Sequence, residues 1–555
     1  MSADAVEKLV AEYGVRGRVV REVAVALAER SWALVELVRE FAVPRRTVEE
    51  VLAAVGDDLT TGADGAPGAA VDLRVRADRA AEYRSRFGAA QLRATALADP
   101  LGPVLAEAGE LVAAVGRWRA SAPPPRRSLD HVAATPETAV RRALWLDASF
   151  DLDGAHLLCV GDHDLTALTA CLLRPSLTAT VVDVDERLLA FIDGAAVAAG
   201  LSVRCVFGDL RFGLPASAAG VAGLAFTDPP YTPDGVRLFL ERSIEGLTGP
   251  GRILLAYGFS ERTPALGLAV QRTFSELELA VEAQLPSFSR YLGAQAVGSA
   301  SDLYVLQPTS KARRKSARAR PTIYTHGEQS SEGTSGATPE VAAALVAAAA
   351  GPDGLPVLGV APDPAALAAA AAAAPAGGGH GAGALSGERA LGALWTGGVP
   401  GPARNGAVAV DATADPGAWL LRILLAVDAR RLAVAVANNH PDLTDAASQH
   451  ALAALVAPKW QLRFRRSTPN PSSAVVEAVA VEQPAEPLVR YLLDRAHGRV
   501  ANVWRDGLAT LTGLPKPDAA ARVNAPDGTL LEIPRHRLEP LFTAVSESTA
   551  EKGIN

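Results

Sequence analysis

Cysteine is scarce in this sequence, whose 555 residues include only Cys159, Cys171 and Cys205. All three lie in or beside apolar segments, and they show no paired spacing of the kind that holds a metal. We therefore expect buried, reduced thiols and a cytoplasmic protein.

Long apolar runs and a secretion signal are also absent. No stretch reaches the roughly 20 consecutive apolar residues that a membrane helix requires, and the N-terminus lacks a basic segment followed by an apolar one. Positive charge is not in excess, since the formal net charge is −7. We expect a soluble protein without a membrane partner. The acidic balance modestly favours a small cationic substrate and leaves a nucleic-acid partner as the less favoured alternative.

A third absence is the glycine-rich loop that follows the first strand of most nucleotide-binding sheets. The apolar run at 157–160 is followed instead by Gly161-Asp162-His163-Asp164. A second apolar run, at 224–226, is followed by Thr227-Asp228-Pro229-Pro230-Tyr231-Thr232. Both runs are typical of parallel strands covered on both faces, and ligands bind beyond the carboxyl ends of such strands. We therefore predict that the two strings contribute to one site.

Acidic residues follow two further predicted strands. The run at 179–182 leads to Asp183 and Asp185, and the run at 203–207 leads to Asp209. A carboxylate at the tip of a second strand usually binds a ribose diol, and the next acid can accept a hydrogen bond from an adenine amino group. Single acids at such places are commonly helix caps. Because an acid follows each of these predicted strands in turn, the series favours a site for a nucleoside sulfonium compound. The sheet that carries this site is predicted to be Rossmann-like, with the layout of the class I methyltransferases.

The chain is too long for a single core, and its composition divides it into six segments. We predict an α/β fold in which a winged-helix-like module precedes the catalytic sheet and a degenerate α/β unit follows it. The segments are a winged-helix-like domain at 1–95, a helical connector at 96–128, a Rossmann-like catalytic domain at 129–307, a basic and Ser/Gly-rich linker at 308–339, a degenerate α/β domain at 340–483 and a small helical module at 487–543.

The N-terminal helices allow two interpretations. A break at 41–44 precedes a helical stretch that begins Arg45-Arg46, as in a helix-turn-helix, and residues 71–75 are a candidate β wing. Such a module can read DNA. The acidic chain favours the other interpretation, in which the module serves dimerisation or covers the active site.

Two longer stretches carry a family resemblance. Residues 129–143 lead into the string at 161–164, and the string at 228–231 continues through Thr232-Pro233-Asp234-Gly235. Together they resemble the branched-chain polyamine synthases, over about residues 1–310. The resemblance implies aminopropyl transfer from decarboxylated S-adenosylmethionine to a secondary amine of spermidine. It also implies that Asp164, the last acid of a glycine-and-three-aspartate motif, lies by the reacting amine, with His163 in place of the middle acid.

The chemistry of these residues is consistent with that reaction. An amine attacks a sulfonium carbon only as its free base, so a nearby carboxylate must accept a proton, and Asp164 is the candidate base. Asp228 and the carbonyls of Pro229 and Pro230 can hold the nitrogen in line, while Tyr231 forms a wall or a cation–π face. No metal is required, because the leaving thioether is neutral. The remaining predicted contacts are Gly161, Asp162, Asp183, Asp185 and Asp209 for the donor and Thr232 for the acceptor.

Several alternatives stay open at this stage. His163 is either a proton relay that titrates near neutrality or a loop residue bonded to a backbone carbonyl. An Asp-Pro-Pro-Tyr string also occurs in amine methyltransferases, so a methyltransferase that uses S-adenosylmethionine and acts on a nucleic-acid base or another amino group is the main rival. A non-enzymatic scaffold is a third reading. The acceptor is a polyamine or another small amine, and a homodimer is an open option.

Overall fold

The structure, a computed structural model, describes residues 2–62, 72–88, 101–260, 262–312, 336–373, 385–397 and 405–549. These residues form an N-terminal helical part, two mixed α/β sheets and a helical C-terminal part. The predicted α/β class, with a helical part before the first sheet and a second sheet after it, is confirmed. Within the described ranges, no helix is long and apolar enough to cross a membrane.

The N-terminal part is a helical cluster with a small hairpin. Its elements are α1 (Ser2–Glu12), α2 (Gly17–Glu29), α3 (Leu34–Phe41), α4 (Arg45–Val55), β1 (Leu59–Gly62), β2 (Asp72–Val75) and α5 (Ala77–Phe87). Val23, Leu37 and Val48 are among the apolar side chains that meet in its core. The strands β1 and β2 pair antiparallel. The second of them, β2, lies in the segment 71–75 that the sequence predicts as a wing. The first residue of that predicted wing, Val71, lies outside the described residues.

The first large sheet has seven strands. The elements of this unit are α6 (Gly102–Glu107), α7 (Gly109–Ser121), α8 (Pro136–Ser149), β3 (His156–Val160), α9 (Thr166–Leu173), β4 (Thr178–Asp183), α10 (Glu186–Ala199), β5 (Val203–Phe207), β6 (Ala222–Thr227), α11 (Pro233–Gly246), β7 (Leu247–Tyr257), α12 (Pro264–Glu276), β8 (Leu279–Arg290) and β9 (Ala300–Pro308). The strand order is β5-β4-β3-β6-β7-β9-β8. Strands β3 to β7 pair in parallel, and β9 pairs antiparallel with both β7 and β8.

The order of these strands explains where a ligand can bind. The chain runs outward from β3 to β5 and then returns to the other side of β3 to continue with β6. The loops that leave β3 and β6 therefore diverge and open a crevice at the carboxyl edge, which is the usual ligand site of a doubly wound sheet. The two polar strings predicted from the sequence are these two loops.

The N-terminal part packs against this unit beside the crevice. The turn between α3 and α4 lies on the loop between β8 and β9, so closely that a Cβ atom at Gly298 would come within 2.7 Å of the Ala42 carbonyl oxygen. Arg45, at the start of α4, donates to the Gln295 side chain at 3.3 Å. The start of the helix that a DNA-reading module would present thus contacts the unit built on the first sheet.

The second sheet repeats most of the first. Its unit consists of α13 (Pro339–Ala350), β10 (Val357–Ala361), α14 (Pro364–Ala373), β11 (Leu385–Ala390), α15 (Ala393–Thr396), β12 (Ala407–Asp411), α16 (Trp419–Ala426), β13 (Arg431–Ala437), α17 (Ala446–Val456), β14 (Trp460–Arg465) and β15 (Ser473–Ala480). The strand order β11-β10-β12-β13-β15-β14 is that of β4-β3-β6-β7-β9-β8. Among the described strands, only a counterpart of β5 is missing from this second copy.

The carboxyl edge of the second sheet is occupied by the chain itself. Asp411 ends β12 and is the topological counterpart of the acid that follows β6. Its carboxylate accepts hydrogen bonds from the Ala337 backbone at 2.7 Å and from the Thr413 backbone and hydroxyl. Asp411 is 2% exposed. Its carboxylate holds the backbone of the segment that leads into α13.

The C-terminal part covers the edge of the first sheet. Its helices are α18 (Pro487–Leu493), α19 (Val500–Thr512), α20 (Lys516–Ala521) and α21 (Leu538–Glu547). On the edge strand β5, the Phe207 N–H donates to the Glu532 carbonyl at 2.8 Å. Asp193 on α10 accepts from His536 and Arg537. An exposed sheet edge invites pairing with other chains, and this contact covers it.

Candidate active site

A cavity of about 550 Å³ opens at the carboxyl edge of the first sheet. Nine of the predicted site residues line it: Gly161, Asp162, His163, Asp164, Asp183, Asp228, Pro229, Pro230 and Tyr231. The lining does not include Asp185, Asp209 or Thr232. The sheet therefore brings the strings after β3 and β6 together with the acid after β4.

The first string is shaped by Gly161 and Asp162. Gly161 has a φ of +70°, and a Cβ there would lie 3.4 Å from the Phe239 ring, so a larger residue would be strained. The buried Asp162 carboxylate accepts from the Thr166 and Ala167 N–H groups at 2.7 and 2.9 Å and so caps α9. Burial raises the pKa of Asp162 to about 8 despite these bonds. Asp162 thus organises the loop between β3 and α9.

The centre of the site is a buried ion cluster around Arg142. This arginine lies on α8, is 1% exposed, and donates to Asp164 Oδ2 at 2.7 Å and to Asp228 Oδ2 at 2.8 Å. Asp164 also accepts from the Ala134 N–H at 2.8 Å. The guanidinium therefore bridges the predicted base after β3 and the predicted acid after β6, with one charge-assisted hydrogen bond to each carboxylate.

The two carboxylates differ in basicity. Burial raises the pKa of Asp164, but the Arg142 charge and the Ala134 hydrogen bond outweigh it, so this pKa lies below its ordinary value. Burial and the neighbouring Asp164 charge raise the pKa of Asp228 to about 7, against the lowering effect of Arg142. Since a general base works best when its pKa is near the working pH, Asp228 fits that role better than Asp164.

Two tyrosines hold the Asp228 carboxylate. Tyr291 donates to Oδ2 at 2.6 Å, and Tyr231 donates to Oδ1 at 3.2 Å. The Tyr291 hydroxyl also contacts Ser301 at 2.8 Å and Arg142 at 3.1 Å. Tyr231 therefore acts on the acid as well as forming a wall of the cavity. These contacts fix the direction in which Asp228 faces the cavity.

Arg142 and Tyr291 are site residues that sequence reasoning missed. For Arg142 a signal existed, because Ala139, Ala143 and Leu146 on the same helix face are buried, and an arginine on a buried face needs carboxylate partners. Tyr291 follows a long strand far along the chain, and no local pattern indicates it.

At the end of β4, Asp183 lies in the cavity and Asp185 does not. Asp183 accepts from the Asp185 N–H at 2.8 Å, and burial raises its pKa to about 7. Asp185 caps α10 and is bound by Arg187 at 2.7 Å. Its carboxylate is used in that structural role, so the prediction that it binds the donor directly is not supported.

The prediction for Asp209 is corrected by the second α/β unit. Its carboxylate is bound by Arg211 and by the indole N–H of Trp419 at 2.8 Å, and the residue is 2% exposed. Trp419 belongs to α16, far along the chain. The carboxylate therefore faces the second unit, while the neighbouring Gly208 and Leu210 face the cavity.

Thr232 and Pro230 also have local roles. The Thr232 hydroxyl accepts from the Gly235 N–H at 2.9 Å and caps α11. The Pro230 carbonyl accepts from the Thr232 N–H at 2.8 Å. Thr232 is therefore not a substrate contact in this arrangement, and the Pro230 carbonyl already holds one partner.

His163 fits neither predicted role. Its ring stacks on His131 with centroids 4.6 Å apart. Within the described residues, both ring nitrogens of His163 and the Nδ1 of His131 are buried without a hydrogen-bond partner. Burial lowers the pKa of His163 to about 3 and that of His131 to about 4. Both rings are neutral near pH 7, so His163 is not a relay that titrates there.

No group of three or more His, Cys, Asp or Glu side chains in the described ranges is arranged to hold a metal ion. The polar side chains that line the cavity belong to five aspartates, two tyrosines, two histidines, Arg127 and Gln295, and Arg142 lies behind two of the aspartates.

Comparison with known proteins finds a family match over the residues that form this cavity. Residues 110–327 match the family model of the branched-chain polyamine synthase A C-terminal domain. An N(4)-bis(aminopropyl)spermidine synthase from Thermococcus kodakarensis is 37% identical over 130 residues, which cover 23% of this chain and 37% of that protein. An uncharacterised protein from Methanocaldococcus jannaschii is 34% identical over 182 residues, which cover 33% of this chain and 46% of that protein. This part of the chain thus has distant relatives among N4-bis(aminopropyl)spermidine synthases.

The match covers only part of each protein. The chain spans less than half the length of these curated relatives. A crystal structure of the branched-chain polyamine synthase from Thermus thermophilus, in complex with N4-aminopropylspermidine and 5'-methylthioadenosine, is 21% identical, with a TM-score of 0.41, and the alignment covers 60% of this chain and 97% of that chain. The residues matched by the family model, 110–327, include β3 to β9 and every residue that lines the cavity.

Proposed function

We propose that this protein transfers an aminopropyl group from decarboxylated S-adenosylmethionine to an amine of the polyamine class. The observation that carries the proposal is the buried cluster in which Arg142 joins Asp164 and Asp228 at the point where the strand order reverses. The family match at 110–327 and the names of the curated relatives support the same reaction. In this proposal the parallel sheet is of the class I methyltransferase layout, and the N-terminal part is a winged-helix-like module.

The donor is held on the β4 side of the cavity. Asp183 accepts hydrogen bonds from the ribose diol, because it is the acid that both ends its strand and lines the cavity. The adenine lies by the backbone of Gly208 and Leu210, since the Asp209 carboxylate is bound to Trp419. The sulfonium carbon then faces Asp164 and Asp228.

The transfer step forms one bond, breaks another and moves one proton. The acceptor nitrogen forms a bond to the propyl carbon as the carbon–sulfur bond breaks, and the thioether leaves as neutral 5'-methylthioadenosine. Asp228, with its pKa near 7, accepts the proton from the nitrogen. Asp164 stays ionised against Arg142 and stabilises the positive charge on the amine.

Donor choice tests this proposal against the methyltransferase alternative. We expect calorimetry on the full chain to show tighter binding of decarboxylated S-adenosylmethionine than of S-adenosylmethionine. The donor's extra carboxylate would enter a cavity whose lining includes Asp130, Asp164, Asp183 and Asp228, where a like charge is unfavourable.

Two outcomes contradict the proposal. Preference for S-adenosylmethionine would favour methyl transfer, and failure to bind either donor would favour a scaffold.

As a site control, Asp183→Asn should weaken binding of both donors by about tenfold or more, since a hydrogen bond to a charged group contributes ~1.5–3 kcal/mol. The matched Asp185→Asn variant should leave the affinity nearly unchanged.

A further inference from the structure

One helix of the second α/β unit touches the first sheet at the carboxyl ends of two of its strands. The helix is α16, and its first residue, Trp419, donates its indole N–H to the Asp209 carboxylate at 2.8 Å, just after β5. Arg422, three residues later, donates to Glu186, which begins α10 after β4. Residues three apart share one face of a helix, so this face of α16 contacts both strand ends.

Both contacts are buried. Trp419 is 2% exposed and Arg422 is 1% exposed. The Arg422 guanidinium also lies over the Phe207 ring at the end of β5, 4.0 Å from its centroid. On the side of the first unit, Arg211 donates to Asp209 at 2.8 Å and lies 4.8 Å from the Trp419 ring centroid. Hydrogen bonds to a charged group are roughly twice as strong as neutral ones, so Trp419 holds the Asp209 side chain firmly.

Phe212 adds an aromatic contact between the same two units. Its ring stacks on Trp395 with centroids 4.5 Å apart and lies 5.5 Å from the Trp419 ring. A Cβ atom at Gly392 would lie 3.2 Å from the Phe212 ring, so the second unit approaches this side chain closely. The segment 207–212 is therefore held by two tryptophans of the second unit.

The start of α16 is itself anchored. The Asp415 carboxylate accepts from the N–H groups of Ala418 and Trp419 at 2.8 Å and is hydrogen-bonded to His440 at 2.9 Å. The side chains of Asp415 and His440 are each 1% exposed. An acid at this place stabilises the first turn of a helix. Trp419 therefore reaches the first unit from a well-anchored helix.

The segment after β5 also lines the active-site cavity. Gly208 and Leu210, which flank Asp209, are part of the lining. The Gly208 N–H donates to the Asp183 carbonyl at 3.0 Å. The Leu210 carbonyl accepts from Arg242 at 2.6 Å. The first unit thus places the backbone of this segment, and the second unit restrains its acidic side chain.

We propose that Trp419 is a positioning residue of the donor site: its indole holds residues 208–210 in the conformation that receives the adenine of the donor. Trp419 acts through Asp209 and not through contact with the donor, so it governs donor binding rather than the transfer step. The inference rests on the proposed function, which places the adenine beside Gly208 and Leu210. The second α/β unit then completes the donor site of the first.

Removal of the indole N–H tests the proposal. Trp419→Phe keeps an aromatic ring but loses the donor to Asp209. Calorimetric titration of 5'-methylthioadenosine into the full chain should give a Kd at least about fivefold higher than that of the parent, because the binding conformation of the segment is less populated. A Kd equal to that of the parent overturns the proposal.

The matched control is Trp504→Phe. Trp504 lies on α19, is 1% exposed, and donates its indole N–H to the Ser548 hydroxyl at 2.9 Å. This variant loses a buried indole hydrogen bond away from the donor site and should bind 5'-methylthioadenosine within about twofold of the parent. Equal losses of affinity in Trp419→Phe and Trp504→Phe contradict the positioning role.

Steady-state kinetics separate positioning from a general loss of structure. With decarboxylated S-adenosylmethionine and spermidine, Trp419→Phe should raise the KM for the donor at least about fivefold and keep kcat within about twofold. The reason is that the Arg142 cluster is unchanged once the donor is bound. A fall in kcat without a rise in KM contradicts the proposal.

Phe212→Leu tests the same contact from the first unit. Phe212 is only partly buried, so this variant should fold. Loss of its stacking on Trp395 should raise the Kd for 5'-methylthioadenosine about threefold or more. Parent-like affinity in Phe212→Leu contradicts the proposal even where Trp419→Phe fails to fold.

The binding measurements keep this inference separate from the proposed function, since both candidate donors share the adenosine part of 5'-methylthioadenosine. If the full chain transfers a methyl group and Trp419→Phe still weakens binding of 5'-methylthioadenosine, the proposed function fails and the positioning role stands. If the parent transfers an aminopropyl group and Trp419→Phe binds like the parent, the function stands and the positioning role fails. If the parent does not bind 5'-methylthioadenosine, both fail.

Discussion

Replacement of Arg142 by leucine is expected to lower the free energy of unfolding by about 3–5 kcal/mol, because it leaves Asp164 and Asp228 buried without their shared cation. The same change should reduce kcat by about 10²–10⁴-fold, since the two acids lose their relative position and their difference in pKa. Denaturant unfolding and steady-state kinetics on the full chain measure the two effects.

The stability loss in Arg142→Leu should depend on pH. In the parent, Arg142 lowers the pKa of Asp164, so the stability that this ion pair contributes is present above the unfolded pKa and is lost in acid. Without the cation, burial raises the pKa of Asp164 above its unfolded value. The variant therefore becomes relatively less stable as the pH rises from about 4 to about 8.

The neighbouring arginine provides the control. Arg141 lies on the same helix, partly exposed, with its guanidinium 4.9 Å from the Phe288 ring centroid. Arg141→Leu should cost about 1 kcal/mol or less, as expected for a cation–π contact near the surface. Equal losses of unfolding free energy in Arg142→Leu and Arg141→Leu would show that Arg142 is not the centre of the site.

Asp228→Asn should give the largest loss of activity among the aspartate variants, about 10²–10⁴-fold in kcat, because asparagine cannot accept the proton of the attacking amine. In the parent, the base is active when ionised, so kcat/KM should rise with pH through about 7, the pKa of Asp228. In the variant this limb should vanish. The matched control is Asp234→Asn, an exposed acid in the first turn of α11, which should leave the profile unchanged.

Two observations would contradict the role of Asp228. One is a variant that keeps most of its activity. The other is a pH limb near 7 that persists in Asp228→Asn but disappears in Asp164→Asn. The second result would return the base to Asp164, as the sequence analysis predicts.

The sequence predicts the placement of the site well because the relevant signals are local. Apolar runs closed by polar strings identify parallel strands, and parallel strands bring their carboxyl ends to one edge. Gly161, Asp183 and Asp228 could be placed in one cavity on that basis alone, and they do share it.

The errors arise where distant segments compete for a side chain. Asp209 follows its strand as a donor-binding acid would, but Trp419 from the second unit takes its carboxylate. Asp185 and Thr232 sit at helix starts, where a capping role explains the same pattern. The His131–His163 stack joins residues from different loops, so its low pKa values depend on burial that no sequence pattern reports.

Mass-spectrometric identification of the products tests the central claim most directly. The full chain would be incubated with decarboxylated S-adenosylmethionine and spermidine, and in parallel with S-adenosylmethionine and spermidine. The account predicts 5'-methylthioadenosine and an amine that has gained one aminopropyl group, only with the decarboxylated donor. Formation of S-adenosylhomocysteine and a methylated amine, only with the intact donor, would contradict it.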